Sequence, residues 1–207
     1  MRMVRSRTIG VFLWNGVAIA QLKRWKLGSW RTGLPAIVLA ALLVASCSTA
    51  APTLLFGDDT PDDLREVANG AFEVFVGRFP DRADCIGRVT LTGARHLDDR
   101  AFYIPGERSV VLRIPATAPH IETSLVHEWA HHLEFACESH QEFRPPFLRS
   151  VGLPPDAGWY DGEVWERVPS EMFASAVVEY VLGRRDEAST IVLGPEAIDL
   201  VRDWAGE

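Results

Sequence analysis

Residues 127–131 read His127-Glu128-Trp129-Ala130-His131, with a glutamate directly after the first of two histidines. Apolar residues recur around this stretch at intervals of three and four, which is the spacing of an amphipathic helix; they are Ile121, Leu125, Trp129, Leu133 and Ala136. The pattern predicts a helix over about residues 119–137. Side chains four positions apart lie on one face of a helix, so both imidazoles would point at the same place.

The boundaries of this helix also have a sequence signal. Pro119 is suited to a first helical turn, and Thr117 is placed to cap it. Surface or core histidines could match the five-residue pattern by chance, and that alternative stays open. The helical context favours a functional pair.

Paired imidazoles on one helix face are suited to holding a divalent metal ion, and neutral imidazole is a preferred ligand of Zn²⁺. A catalytic zinc site takes three protein ligands and leaves a fourth position to water. Glu128 would lie beside that water and not on the metal, where it could take a proton as a general base. The motif therefore predicts His127 and His131 as metal ligands and Glu128 as the catalytic residue.

The third ligand separates the subclasses of such sites. In the metzincin pattern a glycine and a third histidine follow on the same stretch, but these positions are Glu134 and Cys137 here. That pattern is therefore disfavoured. His140 follows His131 by nine residues, which is too far along for the same helical face.

A second predicted helix, residues 169–182, begins at Pro169 and ends before Gly183. Glu171 lies in its first turn. This arrangement resembles the gluzincins, in which a glutamate from a downstream helix completes the zinc coordination. The sequence Pro-Ser-Glu-Met-Phe-Ala is similar to that of small bacterial gluzincins. The resemblance implies Glu171 as the third ligand, with three alternatives left open: Glu163, Glu166 and Glu179.

The same resemblance implies the fold and the activity. We expect an α+β, zincin-like single domain, in which a small mixed or antiparallel sheet packs on the helix bearing His127 and His131. The expected activity is that of a zinc metallopeptidase acting on a peptide or protein substrate.

The N-terminal part has a different character. Residues 1–47 carry seven basic residues and no acidic one, and an apolar run, residues 34–45, precedes Cys47. This order is typical of a secretory signal peptide. Val44-Ala45-Ser46-Cys47 resembles the bacterial lipobox, which implies lipidation of Cys47 and an exported, membrane-anchored protein on the extracytoplasmic face. An ordinary cleaved signal and an uncleaved anchor are the alternatives.

Residues 48–59 contain small residues and proline and are predicted to form a tether, with the folded domain at residues 60–207. Because seven of the 21 basic residues precede Cys47, 14 remain against 28 acidic residues. Such an acidic balance argues against nucleic acid as a partner.

Within the domain, a first helix is predicted from Thr60-Pro61 to about Arg78, with Thr60 as its cap. Alternation and β-favouring residues predict strands at residues 88–92, 101–104 and 109–115, with a hairpin turn at residues 105–108. The last strand is a candidate edge of the sheet, although it could equally be interior.

Three further expectations concern residues around the motif. Cys85 and Cys137 are predicted to form a disulfide in an exported domain. Residues 138–165 are rich in proline, glycine and aromatics, which indicates a hidden short helix or a loop over the cleft. Tyr160 or His140 could donate a hydrogen bond to a tetrahedral oxyanion, whereas His132 points away from the first ligands.

A different class of function is a lipid-anchored binding or structural domain. A structural zinc site is closed by a fourth protein ligand and excludes water. Cys137 and His140 are the candidates for that ligand.

Overall fold

The computed structural model describes residues 51–206. This part of the chain has four strands and six α-helices, which confirms the α+β class. In chain order they are β1 (Thr53–Phe56), α1 (Asp62–Arg78), α2 (Ala83–Ile86), β2 (Arg88–Ala94), β3 (Ala101–Ile104), β4 (Ser109–Arg113), α3 (Ala118–Ala136), α4 (His140–Ser150), α5 (Pro169–Leu182) and α6 (Pro195–Ala205). Across residues 51–206, no helix combines the length and the hydropathy that a membrane span requires. The predicted signal segment and Cys47 lie outside the described residues.

The four strands form one mixed sheet in the order β1-β2-β4-β3. β1 and β4 both run parallel to β2, whereas β3 pairs antiparallel with β4 through the predicted hairpin. The last strand is therefore interior, and β3 is the edge. A hairpin brings β4 back between β2 and β3, a topology that strand propensities alone do not encode.

The predicted tether is wrong from Thr53 onward, because β1 is part of the sheet. Its register with β2 runs from Thr53 opposite Arg88 to Phe56 opposite Leu91. Leu54 and Phe56 are partly buried and pack against the core. Four residues leave too short a pattern to predict a strand, and the partner strand lies more than thirty residues away.

The first helix follows the prediction but begins one residue later, at Asp62, with Pro61 in the cap position. Thr60 is not its cap. The Thr60 hydroxyl donates to the carbonyl of Leu91, 3.2 Å away, and so joins the helix entrance to β2. At the entrance to α3, Thr117 occupies the cap position, but its hydroxyl contacts Nδ1 of His120 and caps no backbone N–H.

The helix α3 lies at the centre of the domain and contacts the sheet, α1 and α5. Trp129 is completely buried on its core side, where its indole packs at 5.1 Å from the ring of Phe72 and 5.4 Å from that of Phe75. Burying an aromatic cluster of this kind stabilises the fold strongly and fixes how α3 is rotated. With Trp129 facing inward, the opposite face of α3 is left to the cleft.

The segment 138–165 contains the helix α4. Of the two structures expected for this segment, a short helix or a loop over the cleft, the helix is therefore present. The sequence patterns do not predict the bounds of α4, which includes Pro145 and Pro146. They do not predict α6 at all. Both pack on α5 through an aromatic cluster made of Phe143, Phe147, Trp159, Phe173 and Trp204. The ring of Phe173 on α5 is completely buried in this cluster.

The structure contains a disulfide between Cys85 and Cys137, whose Cα atoms are 5.1 Å apart. Cys85 belongs to α2, which immediately precedes β2, and Cys137 directly follows α3. The expected cross-link between the start of the sheet and the end of the central helix is therefore present.

Candidate metal centre

His127 and His131 extend from the cleft side of α3, as the four-residue spacing predicts. Their Nε2 atoms lie 3.2 Å apart, and their rings meet edge to face. Both side chains are partly exposed, 20% and 14%, whereas Trp129 between them is completely buried. The helix thus presents two convergent nitrogen atoms to the cleft from a rigid, well-packed base.

The third member of the cluster comes from α5. Glu171 lies in the first turn of that helix, directly after Pro169 and Ser170. Its Oε2 is 3.0 Å from Nε2 of His127, and its Oε1 is 3.6 Å from Nε2 of His131. One ligand atom from each of the three residues lies within 4.8 Å of the others, an arrangement that could hold a metal ion.

The electrostatics of the cluster couple these three side chains. Burial disfavours a charged His131, but hydrogen bonds to Glu134 and Glu171 outweigh it and raise the pKa of His131 to about 10. Burial likewise disfavours the carboxylate of Glu171, yet hydrogen bonds from His127 and His131 hold the pKa of Glu171 well below its usual range. Glu171 is therefore an anion at neutral pH, as a metal ligand must be.

Glu128 is 7% exposed and lies at the base of the same cleft. Burial raises its pKa, and the two neighbouring histidines oppose that rise. A carboxylate whose pKa is raised toward neutrality is a better proton acceptor from water than an ordinary surface glutamate. Glu128 is therefore a buried carboxylate that lines the cleft and could accept a proton.

Two further residues stand behind His131 and had been given no role from the sequence. The Ser170 hydroxyl lies 3.0 Å from each carboxylate oxygen of Glu134 and 3.2 Å from Nδ1 of His131. Oε1 of Glu134 is 3.3 Å from the same nitrogen. Glu134 occupies the position where the metzincin pattern has a glycine. Its location three residues after His131 is the sequence signal that indicates a contact with that ring.

The cluster opens into a cleft of about 580 Å³. One wall is the edge strand β3, including Phe102 and Tyr103. Aromatic side chains form the rim: Phe135 and Tyr160 stack with their centroids 5.8 Å apart, and Trp165 stacks on the His127 ring at 6.4 Å. The cleft is therefore open at these three side chains and is bordered by the strand β3.

Tyr160, one of the two predicted oxyanion donors, lines this cleft. Burial, with Glu134 as the next cause, raises the pKa of Tyr160 to about 12, so its hydroxyl keeps its proton at neutral pH. The other candidate is not in the cleft. His140 is completely buried among aromatic rings and accepts a hydrogen bond from Arg144, so the expectation of an oxyanion role for His140 is wrong.

The alternatives for the third ligand do not join the cluster. Glu163 and Glu166 are exposed, and Glu166 accepts a hydrogen bond from Thr190 instead. Glu179 lies two turns farther along α5. In residues 51–206, His127, His131 and Glu171 form the one group of three potential ligands.

His132 has a structural role on the other side of α3. Its Nε2 donates to the carbonyl of Ile86 at 2.7 Å, because a carbonyl only accepts. Its Nδ1 therefore accepts the hydroxyl proton of Tyr103, also at 2.7 Å. This chain of hydrogen bonds attaches the edge strand β3 to α3 and α2.

The sequence matches no protein-family model, and comparison with curated proteins and with solved structures also gives no significant match. Any function must therefore be inferred from the chemistry of the cleft.

Proposed function

We propose that this protein is a zinc-dependent peptidase in which His127, His131 and Glu171 hold the metal and Glu128 is the general base. The observation that carries the proposal is the convergence of Glu171, from α5, on the two Nε2 atoms of α3. The proposed substrate is a peptide or a protein. The proposed fold is zincin-like, with α3 and α5 as the two ligand-bearing helices.

The spacing of the ligand atoms fits this metal. Zinc bonds of about 2.0–2.1 Å in tetrahedral geometry place neighbouring ligand atoms roughly 3.3 Å apart. The two Nε2 atoms are 3.2 Å apart, Oε2 of Glu171 is 3.0 Å from Nε2 of His127, and the other carboxylate oxygen, Oε1, is 3.6 Å from Nε2 of His131. Two imidazoles and one carboxylate also form a donor set that catalytic zinc sites use, with one position left for water.

The chain's own residues account for the other requirements of peptide hydrolysis. Zinc at this site would lower the pKa of water and polarise a carbonyl. In the proposed mechanism Glu128 accepts the proton of the attacking water and passes it to the amine that leaves. Tyr160 keeps its proton at neutral pH and faces the cleft, so it can donate a hydrogen bond to the oxyanion of the tetrahedral intermediate.

The edge strand β3 suggests how the substrate is held. Among residues 51–206, β3 pairs with β4 alone, in the sheet order β1-β2-β4-β3, and it lines the cleft beside His127 and Glu128. An extended peptide could add to this edge through main-chain hydrogen bonds, which recognise the backbone of many sequences. Recognition of this kind favours a peptide over nucleic acid, as the acidic charge balance also does.

Neither residue considered as the fourth ligand of a closed, structural zinc site is available to bind a metal. The sulfur of Cys137 is bonded to Cys85, and His140 is buried in the aromatic cluster. The cleft at the three ligands is open to solvent, as a catalytic site requires. The location proposed for the protein is the extracytoplasmic face of a bacterial membrane, with Cys47 as the site of the lipid anchor, on the sequence pattern alone.

The test is cleavage of a peptide library by the zinc-loaded protein, with Glu128→Gln as the matched variant. Gln has the shape of Glu but cannot accept a proton from water, so Glu128→Gln should bind one zinc per chain and lose cleavage. Glu122→Gln, on the exposed side of α3, is the control and should cleave normally. Equal cleavage by Glu128→Gln and the wild type would remove Glu128 from the mechanism, and a wild type that binds no zinc after reconstitution would overturn the proposal.

A further inference from the structure

Glu134 and Ser170 form a polar pair directly behind the His131 ring. Glu134 is almost completely buried at 2% exposure, and Ser170 is buried at 3%. An ionised carboxylate is costly to bury unless its oxygens receive hydrogen bonds. Both oxygens of Glu134 lie 3.0 Å from the Ser170 hydroxyl, and Oε1 also lies 3.3 Å from Nδ1 of His131.

The two nitrogens of His131 face opposite partners. Nε2 points to His127 and Glu171, and Nδ1 points to Glu134 and Ser170. Because Glu134 contacts the Nδ1 side of the ring, it stands behind the ligand cluster and is not a member of it. Across residues 51–206, Glu134 is also outside the one group of three potential ligands.

The donors and acceptors around Nδ1 are consistent with one another. A carboxylate only accepts, so the Ser170 hydroxyl donates its proton to Glu134. The oxygens of Glu134 and Ser170 then accept the proton on Nδ1 of His131. When a metal displaces the proton of Nε2, this arrangement holds the remaining proton on Nδ1.

Ser170 also connects this contact to the third ligand. It precedes Glu171 in the first turn of α5, so its hydrogen bond to Glu134 fixes the start of α5 against α3. One buried hydroxyl is thus in contact with the His131 ring and belongs to the residue that precedes Glu171.

We propose that Glu134 and Ser170 are positioning residues that set the metal affinity of the site by orienting His131 and Glu171. The inference rests on the proposed metal centre. Mutation of a residue that hydrogen-bonds to a histidine ligand typically weakens metal affinity by about 10- to 100-fold. Because Glu134 and Ser170 contact each other, their effects should also be coupled.

The experiment measures zinc affinity of the full chain by competition with a chromophoric chelator, for Glu134→Gln, Ser170→Ala and the double variant. Ser150→Ala and Glu122→Gln are matched controls, since Ser150 bonds to Phe147 on α4 and Glu122 pairs with Arg184. Both single variants should bind zinc about 10- to 100-fold more weakly. The double variant should lose less than the product of the two single losses.

The visible spectrum of bound Co²⁺ separates a positioning role from simple loss of stability. The spectrum should change in Glu134→Gln and Ser170→Ala and stay that of the wild type in both controls. Zinc affinities within twofold of the wild type in both variants, with a wild type that does bind zinc, would overturn this inference alone. A wild type without zinc would overturn the metal centre as well, so the two failures are distinguishable.

Discussion

Nε2 of His127 lies 3.0 Å from a carboxylate oxygen of Glu171, although 44 residues separate the two in the chain. One residue belongs to the central helix and the other to the first turn of α5. The contact therefore exists because the two helices pack side by side, which brings a carboxylate to the open edge of a histidine pair.

Glu171→Ala should reduce zinc binding below one ion per chain. Loss of a direct ligand should weaken affinity by more than the roughly 10- to 100-fold that loss of a partner behind a ligand produces. Glu179→Ala, on the same helix but outside the cluster, is the control and should bind zinc as the wild type does. Elemental analysis of the reconstituted proteins gives the answer. Full zinc occupancy in Glu171→Ala would mean that another residue is the third ligand.

Tyr103→Phe should destabilise the fold by about 1–3 kcal/mol, the cost of leaving a buried polar group without its partner. The lost hydroxyl is the donor to Nδ1 of His132, which is completely buried. Denaturant unfolding of the metal-free protein is the measurement, and zinc stoichiometry should be unchanged. An unfolding free energy equal to that of the wild type would show that the Tyr103–His132 hydrogen bond contributes no net stability.

Tyr160→Phe should leave zinc binding intact and lower kcat for peptide cleavage by about 10²–10³, the usual effect of removing one oxyanion donor. Tyr160 is half-exposed, and its hydroxyl also hydrogen-bonds to Glu134 and Arg144, so unfolding of the variant is measured alongside. The decisive comparison is kcat against KM for one library-derived peptide. A change in KM alone would assign Tyr160 to substrate binding instead.

Loss of the Cys85–Cys137 disulfide should destabilise the domain by about 4 kcal/mol, because the bond closes a long loop in the unfolded chain. The two cysteines are 52 residues apart. The test compares denaturant unfolding of the oxidised protein with that of the Cys85→Ala/Cys137→Ala variant. Reductant should destabilise the wild type and not the variant; a wild type that is indifferent to reductant would contradict the prediction.

Stability should fall between pH 6.5 and about 3 through His140. Burial, with a smaller contribution from Arg144, lowers the pKa of His140 from 6.5 to about 3. In this window the unfolded chain binds a proton that the folded protein does not, so the unfolding free energy falls as pH falls. The slope from one such group is at most about 1.4 kcal/mol per pH unit.

His140→Phe should remove this part of the pH dependence while keeping an aromatic ring in the cluster. Unfolding free energies at pH 7, 6 and 5 should therefore fall less steeply in the variant. Parallel slopes in the two proteins would mean that other groups cause the acid sensitivity.

The two helices that carry the site could be predicted from the sequence because their signals are local. Four-residue spacing places His127 and His131 on one helical face, and Pro169 and Gly183 delimit α5 without reference to any other part of the chain. The strand at Ala101–Ile104 and its hairpin to β4 were predictable for the same reason.

Other features depend on partners that are distant in sequence. The strand β1 has only four residues and becomes a strand by pairing with β2, and β4 is interior because β3 folds back outside it. The sequence allows His140 to be an oxyanion donor, yet packing on Phe173 and Trp159 buries its side chain.

By itself, the sequence determined the pair of histidines, the glutamate between them and the helix that presents all three, since helical periodicity needs only neighbouring residues. Tertiary structure alone decided that Glu171 meets His127 and His131 while Glu163, Glu166 and Glu179 do not. It also decided that Ser170 meets Glu134 behind the His131 ring. These contacts depend on how α5 packs against α3, and that packing is fixed by buried side chains from the whole domain.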